Sequence, residues 1–271
     1  MSSSSNCIFY AKTTEGYVKK NLAELLQNNI KCGCFIVNKQ GISFRMTDSN
    51  QKTVIDFALF SENYTQYKFR GQGMSMGLNL SHFYKMCKNI KKKDSMVLFI
   101  EEGKETVLGI KVIPKEKNRV ITSYIKIQNL QSLDIELPPQ ENYGKPIIIQ
   151  SGDYMKMLKD LGNMGVNKNI SISSDSSMIK FSCDADGVYS RDITFGEEND
   201  DDNDVFSQEF ESEQLIRNSK IASLSSQIQI FQGNEETPLL LKSNIGSIGK
   251  ISIYIKDITQ YNDFNEKNED H

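Results

Sequence analysis

Most of the chain consists of short apolar segments in which apolar and polar positions often alternate. These segments are rich in β-branched residues and are bounded by clusters of Gly, Asn, Asp or Lys, which is typical of β-strands. Nine segments have this pattern: 42–46, 53–60, 95–100, 106–113, 120–127, 146–150, 170–174, 227–231 and 251–255. The chain is therefore predicted to be built largely from strands.

Four other segments repeat their apolar residues at the spacing of a helix. They are residues 15–27, 79–90, 151–162 and 212–222. Three of them begin with a residue type that commonly caps a helix N-terminus, namely Asn79, Ser151 and Ser212. Four helices are therefore predicted between the strands.

The four predicted helices form two pairs with nearly equal spacing. Aligning Lys20 with Lys156 gives an offset of 136 residues, and aligning Leu80 with Leu215 gives an offset of 135. Two tandem copies of one helix-and-sheet unit explain this spacing. An α+β fold with an internal repeat is therefore predicted.

The strand pattern lapses between the two copies, in residues 124–145. This stretch contains Pro138 and Pro139, which exclude a continuous helix. We therefore predict a first domain at 1–123, a connector at 124–145, and a second domain at 146–271 that ends in an acidic tail.

Each predicted helix places basic residues opposite or beside its apolar stripe. At about 100° per residue, Lys156 and Lys159 point away from the face that Leu158 buries. The seven basic residues in such positions on the four helices are Lys20, Lys85, Lys88, Lys156, Lys159, Arg217 and Lys220. Because the outward faces of all four helices are positively charged, a polyanion-binding surface is favoured over four ordinary solvated faces.

The charge distribution supports a basic surface although the formal net charge is −3. Residues 197–213 contain nine acidic residues and no basic one, and the tail from Asp263 to Asp270 is also acidic, so the rest of the chain is net positive. Only five of the 32 basic residues are arginines. Lysine suits phosphate oxygens, whereas bidentate reading of guanine favours arginine, so backbone contact is expected rather than base readout.

The composition excludes several other classes. No segment approaches 18 consecutive apolar residues, so a membrane partner is not expected. The five cysteines are odd in number and irregularly spaced, which argues against a disulfide framework. Cys32 and Cys34 would supply half of a metal site, but no second pair or nearby histidine completes it.

We find no catalytic sequence motif in the chain. His82 and His271 are the only histidines, and neither belongs to a known metal-binding or nucleophile motif. Residues 71–77 have one residue too many for a dinucleotide-binding glycine motif. Residues 200–211 place acids at calcium-loop positions, but Val205 stands where glycine is required. No catalytic activity, cofactor or metal is expected.

Four segments carry a resemblance to a known protein family. They are GISFRMTDSNQKTVIDFAL (41–59), MGLNLSHFYKMCKNI (76–90), SGDYMKMLKDLGNMG (151–165) and TPLLLKSNIGSIGKISIYI (237–255). In their order and spacing they resemble the proliferating cell nuclear antigen (PCNA) family of DNA sliding clamps. The resemblance covers nearly the whole chain apart from its extreme ends. It implies two helices on a curved antiparallel sheet in each half, and three chains that close a ring around duplex DNA.

The resemblance also implies roles for particular residues. The seven outward basic residues would line the hole of the ring and face DNA, with Lys19 and the run 91–93, which is expected to lie in a loop, as further candidates. Subunits would join through strands near 119–127 of one chain and 188–195 of the next. The expected function is to tether DNA polymerase and other replication and repair proteins to DNA, in the nucleus or at a cytoplasmic viral replication site.

The family also has a groove in which peptide segments of its clients, including polymerases, insert apolar anchors. A clamp loader is a further expected partner. The matching positions in this chain are Thr47, Leu137, Pro138, Pro238 and Ile255.

The chain departs from the family pattern at this groove. Thr47 and Glu136 stand where the family has apolar residues, and the tail after Ile255 differs from the family's Ala-Pro-Lys-Ile sequence. The alternative hypothesis is a monomeric or dimeric clamp-fold DNA-binding or scaffold protein that does not close into a ring.

Overall fold

The structure is a computed structural model that describes residues 6–116, 119–131, 133–165, 168–174, 178–196 and 206–269. It combines helices with antiparallel strands, which confirms the predicted α+β class. The helices of the described residues are α1 (Gly16–Asn29), α2 (Leu80–Cys87), α3 (Ser151–Gly162), α4 (Ser212–Asn218) and α5 (Ile258–Glu269). A 3-10 turn, Ser219–Ser223, continues from α4.

The strands fall into two groups along the chain. The strands before the connector are β1 (Cys7–Thr13), β2 (Cys32–Val37), β3 (Gly41–Thr47), β4 (Thr53–Phe60), β5 (Gln66–Phe69), β6 (Met74–Asn79), β7 (Ser95–Glu101), β8 (Val107–Ile113) and β9 (Ile121–Lys126). The later strands are β10 (Ile147–Gln150), β11 (Asn169–Ser174), β12 (Met178–Ala185), β13 (Tyr189–Gly196), β14 (Phe206–Glu211), β15 (Gln227–Phe231), β16 (Leu239–Ile245) and β17 (Gly249–Ile255).

The chain divides into two compact units that are not contiguous in sequence. Unit 1 comprises Met1–Thr47, Ile55–Ile135 and Asn244–Ile251, and unit 2 comprises Asp48–Val54, Glu136–Ser243 and Ser252–His271. The domain limits predicted from the repeat, at 1–123, 124–145 and 146–271, stay a prediction.

Unit 1 packs α1 and α2 together beside antiparallel strands. One sheet has the order β5-β1-β7-β8-β9, and the other strands of the unit follow the order β4-β3-β2-β6. Apolar side chains alternate inward along β4, where Ile55, Phe57 and Leu59 are buried. Phe57 stacks on Phe44 of β3 with 5.1 Å between ring centroids, so aromatic packing fixes the register of the core.

Unit 2 repeats this plan with α3 packed against α4 and its 3-10 turn. One sheet has the order β13-β12-β11-β14, and the remaining strands follow the order β10-β15-β16-β17. Phe181 of β12 and Phe210 of β14 are buried in the first of these sheets. Each unit therefore contains a pair of helices on antiparallel strands, as the sequence repeat predicted, and unit 2 contains α5 in addition.

The helix N-termini follow the prediction at one position and differ at two. The Asn79 side chain accepts a hydrogen bond from the His82 backbone amide at 2.9 Å and caps α2. Ser151 and Ser212 instead form the first turns of α3 and α4, so the caps lie one residue earlier, at Gln150 and Glu211. Both cap residues have extended backbone angles, because each is also the last residue of the preceding strand.

Candidate nucleic-acid interface and partner groove

Helix α2 presents two of the predicted basic residues to solvent. Leu80, Phe83 and Cys87 are buried on one face, whereas Lys85 and Lys88 are exposed. Tyr84, next to the buried Phe83, is half-buried, and both lysines point outward. The helix therefore buries one stripe and exposes a basic one.

Helix α3 gives unit 2 the same arrangement. Tyr154, Leu158 and Leu161 are buried, and Lys156 and Lys159 are exposed on the opposite side. The repeat of apolar and basic positions seen in the sequence thus corresponds to a repeat of basic helix faces in the two units.

Helix α4 is shorter, and its basic residues are less accessible. Leu215 and Asn218 are buried, while Arg217 in the last turn and Lys220 in the 3-10 turn are half-buried. These two residues present less of their side chains than the lysines of α2 and α3 do.

Helix α1 contains two adjacent lysines in different environments. Lys20 is half-buried, and its Nζ lies 4.8 Å from the centroid of the Tyr17 ring, a cation–π arrangement that leaves the amine near the surface. Lys19 is buried, and its Nζ donates a hydrogen bond to the Tyr64 hydroxyl at 2.5 Å. Burial lowers the pKa of Lys19 to about 7. Lys19 therefore does not face DNA, which corrects its inclusion among the further candidates.

Lys85 also lines an open basic cleft in unit 1, of about 750 Å³. The cleft is bounded by α2, the turn that follows it, and the chain that leads into β9. Its basic residues are Lys85, Lys91, Lys92, Lys93, Lys115 and Arg119. Asp94 and Glu116 also line the cleft, so the basic residues are in clear excess. Sequence reasoning placed the run 91–93 in a loop but missed the two basic residues before β9, because they belong to no helical stripe.

The predicted subunit strands lie at the edges of their sheets. β9 is the outermost strand beside β8, and β13 is the outermost strand beside β12. Exposed large hydrophobic side chains gather there: Tyr124 of β9 is 60% exposed, and Val188, which precedes β13, is 80% exposed. The others at these two edges are Val120, Ile121 and Tyr189. An edge strand with exposed apolar side chains is suited to pairing with another chain.

Unit 2 contains the greater part of the predicted partner groove. Tyr143, Phe231, Leu240 and Tyr254 form a buried cluster, against which Val54 and Leu137 pack as partly buried side chains. The Tyr143 hydroxyl donates a hydrogen bond to the Pro238 carbonyl oxygen at 3.0 Å. We call the surface formed by Val54, Leu137, Pro138, Pro238 and Tyr254 the groove surface.

Two predicted groove residues are placed differently. Ile255 has no exposed surface, so it packs inside unit 2 and cannot contact a peptide directly. Thr47 is half-buried at the end of β3 and belongs to unit 1. The sequence pattern missed Tyr254 because three successive residues of β17, 253–255, are apolar and give no alternation.

Helix α5 was not predicted, and it packs in unit 2 near the groove surface. The Gln260 amide donates hydrogen bonds to the carbonyl oxygens of Asn234, at 2.9 Å, and Thr237, at 3.0 Å. The Tyr261 ring lies against the Lys52 amine, and the Phe264 ring lies against Lys256. Burial lowers the pKa of Lys256.

No metal-binding cluster occurs among the residues that the structure describes. All five cysteines are free thiols, and burial raises the pKa of Cys34. The calcium-loop candidates Asp200, Asp202 and Asp204 lie outside the described residues. Within the described ranges, no helix combines the length and the apolar character needed to cross a membrane.

The chain is similar to known proteins in both sequence and structure. A family described as "Proliferating cell nuclear antigen, N-terminal domain" matches residues 8–137. A protein of Paramecium bursaria Chlorella virus 1, "Probable DNA polymerase sliding clamp 1", is 22% identical over 262 residues, which are 93% of this chain and 98% of that protein.

The crystal structure of Proliferating Cellular Nuclear Antigen from Entamoeba histolytica has a similar fold. The TM-score is 0.80, with 16% sequence identity over 93% of this chain and 99% of that one. At this identity the structural match establishes the fold alone.

Proposed function

Because the chain belongs to the PCNA family of DNA sliding clamps, we propose that it encircles duplex DNA and tethers a DNA polymerase to it. The basic helix faces repeated in the two units carry this proposal. The exposed residues on these faces are Lys85, Lys88, Lys156 and Lys159, with Lys20, Arg217 and Lys220 as less exposed additions.

Lysine-rich helices are suited to sliding rather than to sequence recognition. Duplex DNA carries one negative charge for about every 1.7 Å of its axis, so diffuse attraction is nearly the same at every position. Base contacts would hold the protein at particular sites. Because lysines contact phosphates as flexible point charges, these faces can hold DNA and still let the protein move along it.

The edge strands support a ring built from copies of this chain. β9 belongs to unit 1 and β13 to unit 2, so pairing one with the other joins unlike surfaces of two chains. Such head-to-tail contacts produce a ring when the rotation between neighbours closes. We propose that three chains close this ring, and that the exposed side chains near 119–127 and 188–195 become buried in the contacts.

The groove surface supports binding of client peptides. Leu137, Pro138 and Pro238 are half-buried and surround a cluster rich in aromatic residues, which suits apolar and aromatic anchors. The proposed clients are DNA polymerase and other replication and repair proteins, and a clamp loader places the ring on DNA. The protein then acts in the nucleus or at a viral replication site, without a chemical step of its own.

A charge-reversal experiment tests the DNA-facing assignment. Replacing Lys85, Lys156 and Lys159 by Glu places carboxylates on the proposed DNA-facing helices of both units. We expect the variant to keep its oligomeric mass by light scattering but to lose stimulation of a DNA polymerase on primed circular DNA. The salt dependence of DNA binding should also weaken, by about 0.9 in logarithmic slope for each phosphate that the variant no longer neutralises.

The matched control changes the same amount of charge elsewhere. Its substitutions replace the exposed residues Lys39, Lys145 and Lys250 by Glu. Equal loss of stimulation in both variants, or full stimulation by the first one, would contradict the DNA-facing assignment. A mass of one or two chains for the unmodified protein would instead support the clamp-fold protein without a closed ring.

A further inference from the structure

Helix α5 is attached to unit 2 by a reciprocal cap at its N-terminus. The Gln260 backbone amide donates a hydrogen bond to the Asp257 carboxylate at 2.8 Å, and the Asp257 amide donates one to the Gln260 side chain at 3.2 Å. This is the pattern of a capping box, which fixes where a helix begins. The Gln208 amide of β14 donates to the other Asp257 carboxylate oxygen at 2.8 Å. The start of α5 is therefore well defined.

Gln260 also joins α5 to the turn before Pro238. Its amide nitrogen donates to the Asn234 and Thr237 carbonyl oxygens, and Thr237 immediately precedes Pro238 of the groove surface. A longer bond, of 3.4 Å, reaches the Glu235 carbonyl oxygen, so one side chain completes the helix cap and holds the turn.

Two aromatic residues of α5 face lysines of unit 2. The centroid of the Tyr261 ring lies 4.1 Å from the Lys52 Nζ, and that of the Phe264 ring lies 3.7 Å from the Lys256 Nζ. Glu211 of β14 forms an ion pair with Lys52 at 2.6 Å, which orients that amine. Both aromatic rings are half-buried, so α5 is docked against the unit without entering its core.

The two lysines lie at the ends of the strands that carry part of the groove surface. Lys52 directly precedes β4 and Lys256 directly follows β17, so they are two residues from Val54 and Tyr254 respectively. The Lys256 amide donates a hydrogen bond to the Lys52 carbonyl oxygen at 2.9 Å, so the two segments are adjacent there. The contacts of α5 therefore lie next to Val54, Tyr254 and Pro238.

We propose that α5 is an internal ligand that covers part of the client groove of its own chain, and that a client peptide must displace it. This inference rests on the proposed function of the groove surface. Its occupant is the segment 257–264, which presents one glutamine and two aromatic rings from one helix.

The docking is shallow enough to be reversible. The outward residues Thr259, Asn262 and Asp263 are exposed, and the inward ones are only half-buried. Two cation–π contacts and the glutamine bonds favour the docked form, so the apparent affinity for a client is expected to fall on the order of tenfold. Clients that bind more tightly than α5 still gain access.

Peptide binding tests this inference with the full-length chain. The variant carries Tyr261→Ala and Phe264→Ala, and the matched control carries Thr259→Ala and Asn262→Ala on the exposed face of the same helix. The probe is a fluorescent synthetic peptide with residues 256–271 of this chain, and its binding is measured by anisotropy. We expect the variant to bind the peptide about tenfold more tightly than the unmodified chain and the control.

Equal affinity for all three proteins, or no binding by the variant, overturns the inference. Thermal unfolding verifies that the variant is folded. A second variant, Gln260→Ala, removes the bonds to the turn, and it should also bind the peptide more tightly.

Polymerase stimulation by the same proteins separates this inference from the proposed function. If every protein stimulates polymerase but none differs in peptide binding, the internal-ligand inference fails and the clamp function stands. If the variant binds the peptide more tightly but no protein stimulates polymerase, the clamp function fails and α5 remains an internal ligand. A variant that reaches half-maximal stimulation at a lower concentration than the control supports both.

Discussion

The buried amine of Lys19 should make the stability of the protein depend on pH between about 7 and 10. Its Nζ contacts the Tyr64 hydroxyl at 2.5 Å and lies 4.7 Å from the centroid of the same ring. Burial lowers the pKa of this amine, and the neighbouring Cys87 opposes the shift without reversing it. Replacement by Met keeps an unbranched apolar chain of similar length and removes the amine.

The size of the effect follows from the difference between the folded and unfolded pKa of Lys19. Burial lowers the pKa from 10.5 to about 7, which corresponds to about 5 kcal/mol of differential interaction. Between these two values the unfolded chain holds a proton that the folded chain has released. The free energy of unfolding therefore rises with pH, by about 1.4 kcal/mol per pH unit. The full cost is present below pH 7, where both states are charged.

Urea unfolding at pH 7, 8 and 9 checks this prediction. We expect Lys19→Met to be more stable than the unmodified chain at pH 7, and the difference to shrink by about 3 kcal/mol at pH 9. Lys20→Met is the control, because it removes the amine of a neighbouring lysine that is only half-buried. An equal pH dependence of the unmodified chain and Lys19→Met would show that the amine is not buried as described.

Two further predictions concern the turn before β4 and the edge of unit 1. Asp48 is buried, and its carboxylate accepts two backbone hydrogen bonds at 2.9 Å. Asp48→Ala should therefore lower the free energy of unfolding by about 2–4 kcal/mol, and Asp48→Asn should lower it by less. Urea unfolding measures both variants, and equal losses would argue against the hydrogen bonds. Ile121→Glu with Tyr124→Glu places two carboxylates at the proposed subunit contact. Association should weaken on the order of 1000-fold, and light scattering should report a smaller mass than for the exposed control Thr106→Glu. An unchanged mass would place the contact elsewhere.

The sequence determined the elements whose signal is local. Alternation along 53–60 predicted β4 with its exact bounds, and helical spacing along 151–162 predicted α3. Asn79 was identified as a cap because its side chain acts on a backbone amide only three residues away. The repeat of apolar and basic positions was also readable, since helix geometry fixes which residues share a face.

Several elements gave no such signal. β1, β2 and β16 contain short apolar runs or mixed residues that fit neither period, and they become strands because neighbouring strands pair with them. Helix α5 consists largely of polar residues, and a segment of that length and composition is marginal as an isolated helix. Its cap is local, but the glutamine bonds to Asn234 and Thr237 and the contact with Lys52 come from residues that are distant in the chain.

The adjacent residues Lys19 and Lys20 show most clearly which part of side-chain burial the sequence does not predict. Helical counting from one apolar stripe places Lys20 outward, and the structure leaves it near the surface. Helical counting cannot place Lys19, because packing against α2 widens the buried face of α1. Cys87 of α2 is buried beside the Lys19 amine. Sequence periodicity fixes the direction of each side chain around its helix, but the neighbours that pack there decide which directions are buried, and those neighbours are set by tertiary structure.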